Sequence, residues 1–275
     1  MSVKPPLADA EVLRVLKVLE PLVDDRSVVL VGGQAVAFWT RFLQARSSEL
    51  AALAPLGSKD IDFEGDTNSV RRAAQLLGGR MRLPSMDDNT PNTGLVMFVD
   101  AEGVDRQIDF IDQPLGLKAD EVRNAAVRLV LATDRGPAVN VWAMHPEHCM
   151  ESRVYNAQSL GKTNSVAIRQ LKASIICTRE WSRYSLDREA TPERVRSVLR
   201  MNERVFRRCL TDIAFKELTK KLGIDPFDAV LVDHDALPSR FKQTRYPQML
   251  DQLETVRGHE TQRAPDHELD IDIER

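Results

Sequence analysis

The sequence predicts a two-part protein, an α/β half followed by a mainly helical half, with the change of character near residue 145. Up to that point apolar runs of strand length alternate with amphipathic helical stretches, and after His148 the apolar spacing is that of helices alone. The composition agrees: 43% hydrophobic and 29% charged residues in a chain of 275 leave room for a real core and exclude a disordered or fibrous chain.

Val12, Leu13, Leu16 and Leu19 recur at helical spacing and make residues 10–20 an amphipathic first helix. Val28 to Val31 form a buried strand, Gly32 and Gly33 turn the chain, and the next helix carries Val36, Trp39 and Leu43 to the core. Residues 44–56 read as a helix end and a loop. From Gly57 to Phe63 the chain alternates as a strand does, with Ile61 and Phe63 on one face and Asp60 and Asp62 on the other. Lys59 shares the face of Ile61 and reads as solvent-facing. A helix over 67–77, closed by Gly78 and Gly79, is followed by a loop over 84–94 and two antiparallel strands joined at Glu102 and Gly103. Asp109 falls in the second of these strands, between Ile108 and Phe110.

Residues 118–131 read as a short strand or helix around a polar turn, and Val139 to Met144 as one more strand. Helices follow over 148–160 and 164–180. A long one is capped by Thr191, opened by Pro192 and stopped by Gly223. The expected domains are therefore 1–145, 146–255 and an acidic, flexible tail over 256–275.

The formal charge of −3 does not suggest a protein that wraps nucleic acid. Charge is unevenly spread, however: ten Lys or Arg against five acids lie between Arg188 and Lys221, and eight acids against three Arg follow from Asp251. A solvated helix surface with a frayed tail fits this, as does a helix that approaches phosphate. Cys149, Cys177 and Cys209 are widely spaced and favour reduced thiols in a cytoplasmic protein. No apolar run approaches the length of a membrane span, so no membrane partner is expected.

The acids carry the chemistry. Two carboxylates two residues apart on one strand face have β-carbons roughly 6 to 7 Å apart, and their side chains can converge on one cation. A third on a neighbouring strand, Asp109, can complete a site for two Mg²⁺ ions roughly 3.5 to 4 Å apart. Asp60 and Asp62 would bridge the ions, and Asp109 would help to activate an attacking hydroxyl, as nucleotidyl transfer requires. Acids on the wet face of an edge strand would show the same alternation. The glycines favour the site: Gly32 and Gly33 at a strand exit let backbone amides approach phosphate, with a helix N-terminus behind them. VGGQAV lacks the dinucleotide GxGxxG spacing, and no GK[ST] follows it. Ser58 stands at the site entrance, as a phosphate ligand or a turn residue.

The order GG, then G-S-x-D-x-D, then a lone Asp in a later strand resembles the DNA polymerase beta-type nucleotidyltransferase superfamily, and within it the branch of AbiEii-like toxins. Gly32 and Gly33, then Gly57, Ser58, Asp60 and Asp62, then Asp109 carry the resemblance, over residues 25–112. It extends more loosely over the helical half. It implies a mixed sheet flanked by helices, Mg²⁺, and a nucleoside triphosphate whose nucleotidyl group passes to a hydroxyl of RNA, tRNA or protein. It further implies a toxin or phage-defence role with a cognate antitoxin, with Asp60, Asp62 and Asp109 as metal ligands and Asp109 as base. A basic residue of the first C-terminal helices would reach the triphosphate, from among Arg153, Lys162, Arg169 and Lys172. The chain departs from the family pattern in having no Asp after Arg169. A catalytically silent nucleotide-binding or partner-binding regulator is the alternative; a hydrolase or kinase-like phosphotransferase would use the same acids.

Among the remaining residues, His145, His148 and Cys149 raise a zinc question, but no matching ligand pair follows, and a domain-junction loop is the simpler reading. Trp142 and Trp181 read as packing residues between the two halves. Glu151 with Tyr155, and Ser152 with Asn156, share helix faces; Asn156 or Arg153 could contact base or ribose if that helix borders the cleft.

Overall fold

In the computed structural model, the described residues are 7, 9–58, 60–85, 87–88, 90–131, 137–188, 190–231 and 234–263. Lys59 and the end of the expected tail lie outside them.

Helices α1 (Asp9–Val18) and α2 (Glu20–Asp24) lead into β1 (Val28–Val31), whose four residues are all buried. Gly32 opens α3 (Gly32–Leu43), which carries Val36, Trp39 and Leu43 into the core. A short helix, α4 (Ser48–Leu53), capped by the Ser47 hydroxyl, lies where a loop is expected; at two turns it is too short for apolar periodicity to show. Strand β2 (Ile61–Gly65) begins later than the alternation predicts, so Asp60 precedes the strand instead of lying in it. Helix α5 (Thr67–Leu77) has the predicted bounds: the Asp66 carboxylate caps its start and Gly78, at φ +59°, ends it. A three-residue edge strand, β3 (Arg80–Arg82), all exposed, has no apolar signal and is not foreseen. The antiparallel pair β4 (Asn92–Val99) and β5 (Asp105–Ile111) follows as expected.

The ambiguous segment over 118–131 resolves into α6 (Ala119–Ala125) and β6 (Val127–Leu131), and β7 (Val139–Ala143) ends the sheet. The seven strands run in the order β3-β4-β5-β2-β1-β7-β6. The sheet is mixed: β1 is antiparallel to β2 and parallel to β7, and β2 is parallel to β5.

Beyond the sheet come α7 (Pro146–Ser159), α8 (Ser165–Arg188), α9 (Pro192–Thr211), α10 (Ile213–Leu222) and α11 (Ser239–Arg263). The long helix expected from Pro192 to Gly223 is interrupted at Asp212, which stands in an extended conformation and caps α10 through the N–H of Ala214. Helix α11 continues to Arg263, past the expected start of the tail at 256. The architecture is α/β, a mixed sheet flanked by helices and followed by a helical region. None of the described helices is long and apolar enough to cross a membrane, and the three cysteines are free and buried.

Two apolar clusters hold the chain together. One joins the sheet to α1, α3 and α5, and the other lies among α7 to α11. Helices α7 and α8 contribute to both, Cys149 and Cys177 to the first and Met150 and Ile175 to the second. Trp181 of α8 meets Trp39 of α3 edge to face, centroids 5.0 Å apart, and so packs between the halves. Trp142 does not. Its indole N–H donates to Val23 O at 2.9 Å under the Arg26 guanidinium, both in the segment that leads into β1.

Candidate active site

The register of the central strands decides which acids meet. Asp62 of β2 and Asp109 of β5 are direct Cα partners across a parallel pair, so their side chains leave the same sheet face from strands about 4.8 Å apart. Both flanking residues of each, Ile61 with Phe63 and Ile108 with Phe110, are buried on the other face, and this alternation fixes the orientation of the acids. Asp60, exposed and ahead of the strand, stands outside this pairing. Asp60, Asp62 and Asp109 are therefore neighbours, but their oxygens are not drawn within 4.8 Å of one another.

Burial raises the proton affinity of the Asp62 carboxyl, and the charge of Asp109 adds to it, so that its pKa is pushed up to about 6 against the favourable pull of Arg153 and Lys162. Asp109 is raised too, first by burial, with a hydrogen bond from Gln107 Nε2 at 2.6 Å opposing. Among the described residues nothing donates a hydrogen bond to Asp62. Two part-buried carboxylates in adjacent register with one donor between them suit a divalent cation, which would lower both pKa values again.

The glycine turn closes over this pair. Val31 is the β1 partner of Asp62, so Gly32 emerges directly above the acid. Its φ is +67°, and a Cβ there would lie 2.0 Å from Asp62 Oδ2. Only a residue without a side chain fits both the turn and the carboxylate. A Cβ on Gly33 would meet Gln170 Nε2 at 2.7 Å and Ser58 Oγ at 2.9 Å. Gln170 is 5% exposed and ties three elements: its Nε2 donates to Gly57 O at 3.2 Å, and its Oε1 accepts from Arg153 Nη1 at 3.1 Å. Gln34 Nε2 donates to Ser58 O at 3.4 Å and holds the same turn from α3. Gln170 and Gln34 are not foreseen from sequence, because an uncharged amide in a helix carries no motif.

Of the basic candidates, Arg153 and Lys162 lie close enough for their charges to act on Asp62. Arg153 is deeply enclosed, and its Nε has no hydrogen-bond partner. Arg169 turns away: its guanidinium donates to the carbonyls of Leu53 and Pro55, bracing α8 against the loop that leads to Ser58. Lys172 is exposed.

Other clusters have structural explanations. Glu11, Asp100 and Glu102 are the one acid trio among the described residues whose oxygens lie within 4.8 Å of one another. Guanidinium groups already occupy that space: Arg106 pairs with Glu11 at 2.6 Å and with Asp100 at 2.9 Å, and Arg14 pairs with Glu102 at 2.7 Å. Asp100 also accepts the N–H groups of Glu102 and Val104, which shapes the β4–β5 turn, so the trio is an ion-pair network. His145 Nδ1 accepts from the Glu147 N–H and caps α7, Cys149 Sγ donates to Met144 O, and His148 lies 6.1 Å from His145 between ring centroids. No zinc-binding set forms among them.

No protein-family description and no curated protein matches the chain. Among solved structures, it is similar to an antigenic nucleotidyltransferase-like protein from Paracoccidioides brasiliensis, at 14% identity over 77% of this chain and 95% of that one, with a TM-score of 0.40. It is also similar to JHP933 from Helicobacter pylori, at 13% identity over 92% and 99% of the two chains, with a TM-score of 0.34. These are distant similarities of architecture, and the chemistry of this chain rests on its own residues.

Proposed function

We propose that the chain is a Mg²⁺-dependent nucleotidyltransferase acting from a nucleoside triphosphate onto a hydroxyl, with RNA or tRNA as the favoured acceptor class and protein as the second. The observation that carries this reading is the direct register of Asp62 and Asp109 beneath Gly32. Two acids are brought side by side, and the turn above them leaves no room for a side chain.

Asp62 and Asp109, with Asp60 just ahead of the strand, are the residues that would hold the metal. When bound, Mg²⁺ supplies charge neutralisation for the triphosphate and the leaving pyrophosphate. The turn at Gly32 and Gly33 offers backbone N–H groups and the α3 N-terminus to phosphate oxygens. Ser58, fixed by Gln34 and Gln170, adds a hydroxyl donor. Arg153 and Lys162 contribute positive charge from α7 and the loop beyond it. The acceptor oxygen attacks the α-phosphorus, the bond to the β-phosphate oxygen breaks, and the acceptor's proton passes to Asp109. Its place beside Asp62, on the sheet face where the triphosphate would lie, suits that role. A sheet part over 1–145 would carry the acids and a helical part over 146–255 the basic side chains. A toxin or defence role with an antitoxin partner belongs to the same proposal through the family resemblance alone.

The test supplies each α-labelled nucleoside triphosphate with Mg²⁺ and total cellular RNA, and follows label into RNA and protein beside a folded Asp60→Ala, Asp62→Ala variant. Label incorporation that the variant lacks supports transfer and identifies the acceptor class. Two observations favour the silent regulator: Asp60 does not close on Asp62 and Asp109, and Arg169 is engaged by backbone. Mg²⁺-dependent nucleotide binding without turnover would select it.

A further inference from the structure

A second concave site lies at the other end of α8. A cavity of about 510 Å³ opens between the C-terminal end of α8 and the first turns of α9, within the range of about 300–1,000 Å³ typical of small-molecule sites. Trp181, on its wall, stands eleven residues beyond Gln170 on the same helix, about 16 Å along the axis at 1.5 Å per residue, so the cavity is separate from the carboxylates.

Its chemistry is that of a flat, anionic ligand. Trp181 and Tyr184 stack with centroids 5.5 Å apart and 29° between planes, and Met201 of α9 faces them across the cleft. The Tyr184 ring is already covered by Trp181, Phe42 and the Arg46 and Arg188 guanidinium groups, so Trp181 and Met201 are left to accept a heteroaromatic ring. Arg188 and Arg194 supply charge at the rim. Arg188 Nη1 donates to Tyr184 Oη at 2.8 Å, and neither arginine has a carboxylate partner among the described residues. A guanidinium fork left in this state matches a phosphate group. The acid on the wall, Glu193, is paired with Arg196 at 2.6 Å, so among the described residues the cleft is net positive. His145 lies behind Trp181, edge to face at 5.9 Å. Because its Nδ1 accepts the Glu147 N–H, its Nε2 carries the hydrogen.

We propose that this cleft binds a nucleoside monophosphate without a metal, its base against Trp181 and Met201 and its phosphate on Arg188 and Arg194. The proposal does not depend on the carboxylate site being active.

Calorimetric titration of the full chain with AMP, GMP, CMP and UMP in EDTA tests it, since EDTA removes metal-dependent binding at the acids. The expected result is saturable binding of at least one nucleotide, about tenfold weaker or worse in Arg188→Ala, Arg194→Ala, and unchanged in Asp62→Asn. The matching nucleoside and inorganic phosphate should each bind at least about tenfold more weakly than the nucleotide. If the double variant fails to fold, Arg194→Ala alone serves, because its side chain makes no ion pair among the described residues. Three results would overturn the proposal: no saturable binding up to millimolar nucleotide, phosphate alone binding as well as the nucleotide, or binding lost in Asp62→Asn but kept in the arginine variants.

Discussion

Replacing Gly32 by alanine probes the geometry on which the proposed chemistry rests. The new Cβ would stand 2.0 Å from Asp62 Oδ2, and ordinary contact begins near 3.4 Å, so the carboxylate or the turn must retreat by about 1.4 Å. The backbone adds its own cost, because a residue with a side chain at φ +67° loses about 1–2 kcal/mol. Overpacking against a fixed neighbour adds about 1–3 kcal/mol, for a total of about 2–5 kcal/mol. Gly78→Ala separates the two contributions, since Gly78 has a similar φ of +59° with nothing within 4 Å of its would-be Cβ. Urea denaturation should therefore show Gly32→Ala to be more damaging than Gly78→Ala by the clash alone. Label transfer should fall by about 10²-fold or more in Gly32→Ala, as an ångström-scale misplacement does, and not in Gly78→Ala. Equal stability losses in the two variants, with transfer intact in both, would refute the placement of Gly32 over Asp62.

Asp62→Asn should abolish transfer yet stabilise the metal-free protein at neutral pH. The folded carboxyl keeps its proton to about 6 while the unfolded one loses it near 3.8, so wild type loses up to about 3 kcal/mol as pH rises through that window. The variant should lack that slope when urea melts in EDTA are compared at pH 4 and pH 8. Arg123→Ala should cost about 3–5 kcal/mol, because it leaves Glu64, fully buried in β2 and paired with Arg123 at 2.7 Å, without its partner. The loss should shrink at low pH, where Glu64 takes up a proton; thermal melts at pH 4.5 and 7.5 check it. Gln170→Leu should leave Gly57 O and Arg153 Nη1 unpaired, at about 1–3 kcal/mol each, and should raise the KM for nucleoside triphosphate more than it lowers kcat.

What the sequence showed and what it hid follow from the range of the forces involved. Helix α5 could be read to the residue because its signals are local: an Asp66 cap, an apolar face and a left-handed Gly78. The strand containing Asp109 could be read from alternation, and the direct pairing of Asp62 with Asp109 gives that alternation its meaning. Alternation puts Asp60 one step further into the sheet than the structure does, because it continues through a segment whose backbone has no strand partner before Ile61. The break at Asp212 was hidden because Arg207 to Leu222 holds helical periodicity on both sides of a single cap residue. Arg169 and Lys172 share a helix face by spacing, but the carbonyls of Leu53 and Pro55, more than a hundred residues earlier, claim the guanidinium. That contact is long-range, and no local pattern encodes it.

The helical half matters to the acids through one helix with two working faces. Glu147 and Glu151, one turn apart on α7 and buried, are met by Arg204 and Arg208, one turn apart on α9, at 2.6 and 3.0 Å. Arg153 follows Glu151 by two positions, about 200° around the helix, and so leaves the opposite face toward Asp62. The grip on α9 therefore sets the rotation of α7 and with it the direction of Arg153. Burial pushes the Glu151 carboxyl up to about 8 despite Arg208, and its second oxygen has no partner. Since the folded value lies above the unfolded one of 4.5, the protein should lose stability as pH rises from about 4.5 through 8. Glu151→Gln keeps the shape and removes the titration, so relative to wild type it should be more stable at pH 9 than at pH 5. Urea midpoints of the two proteins at both pH values measure this, and an unchanged difference would mean that the Arg208 pairing offsets burial and keeps Glu151 ionised across the range.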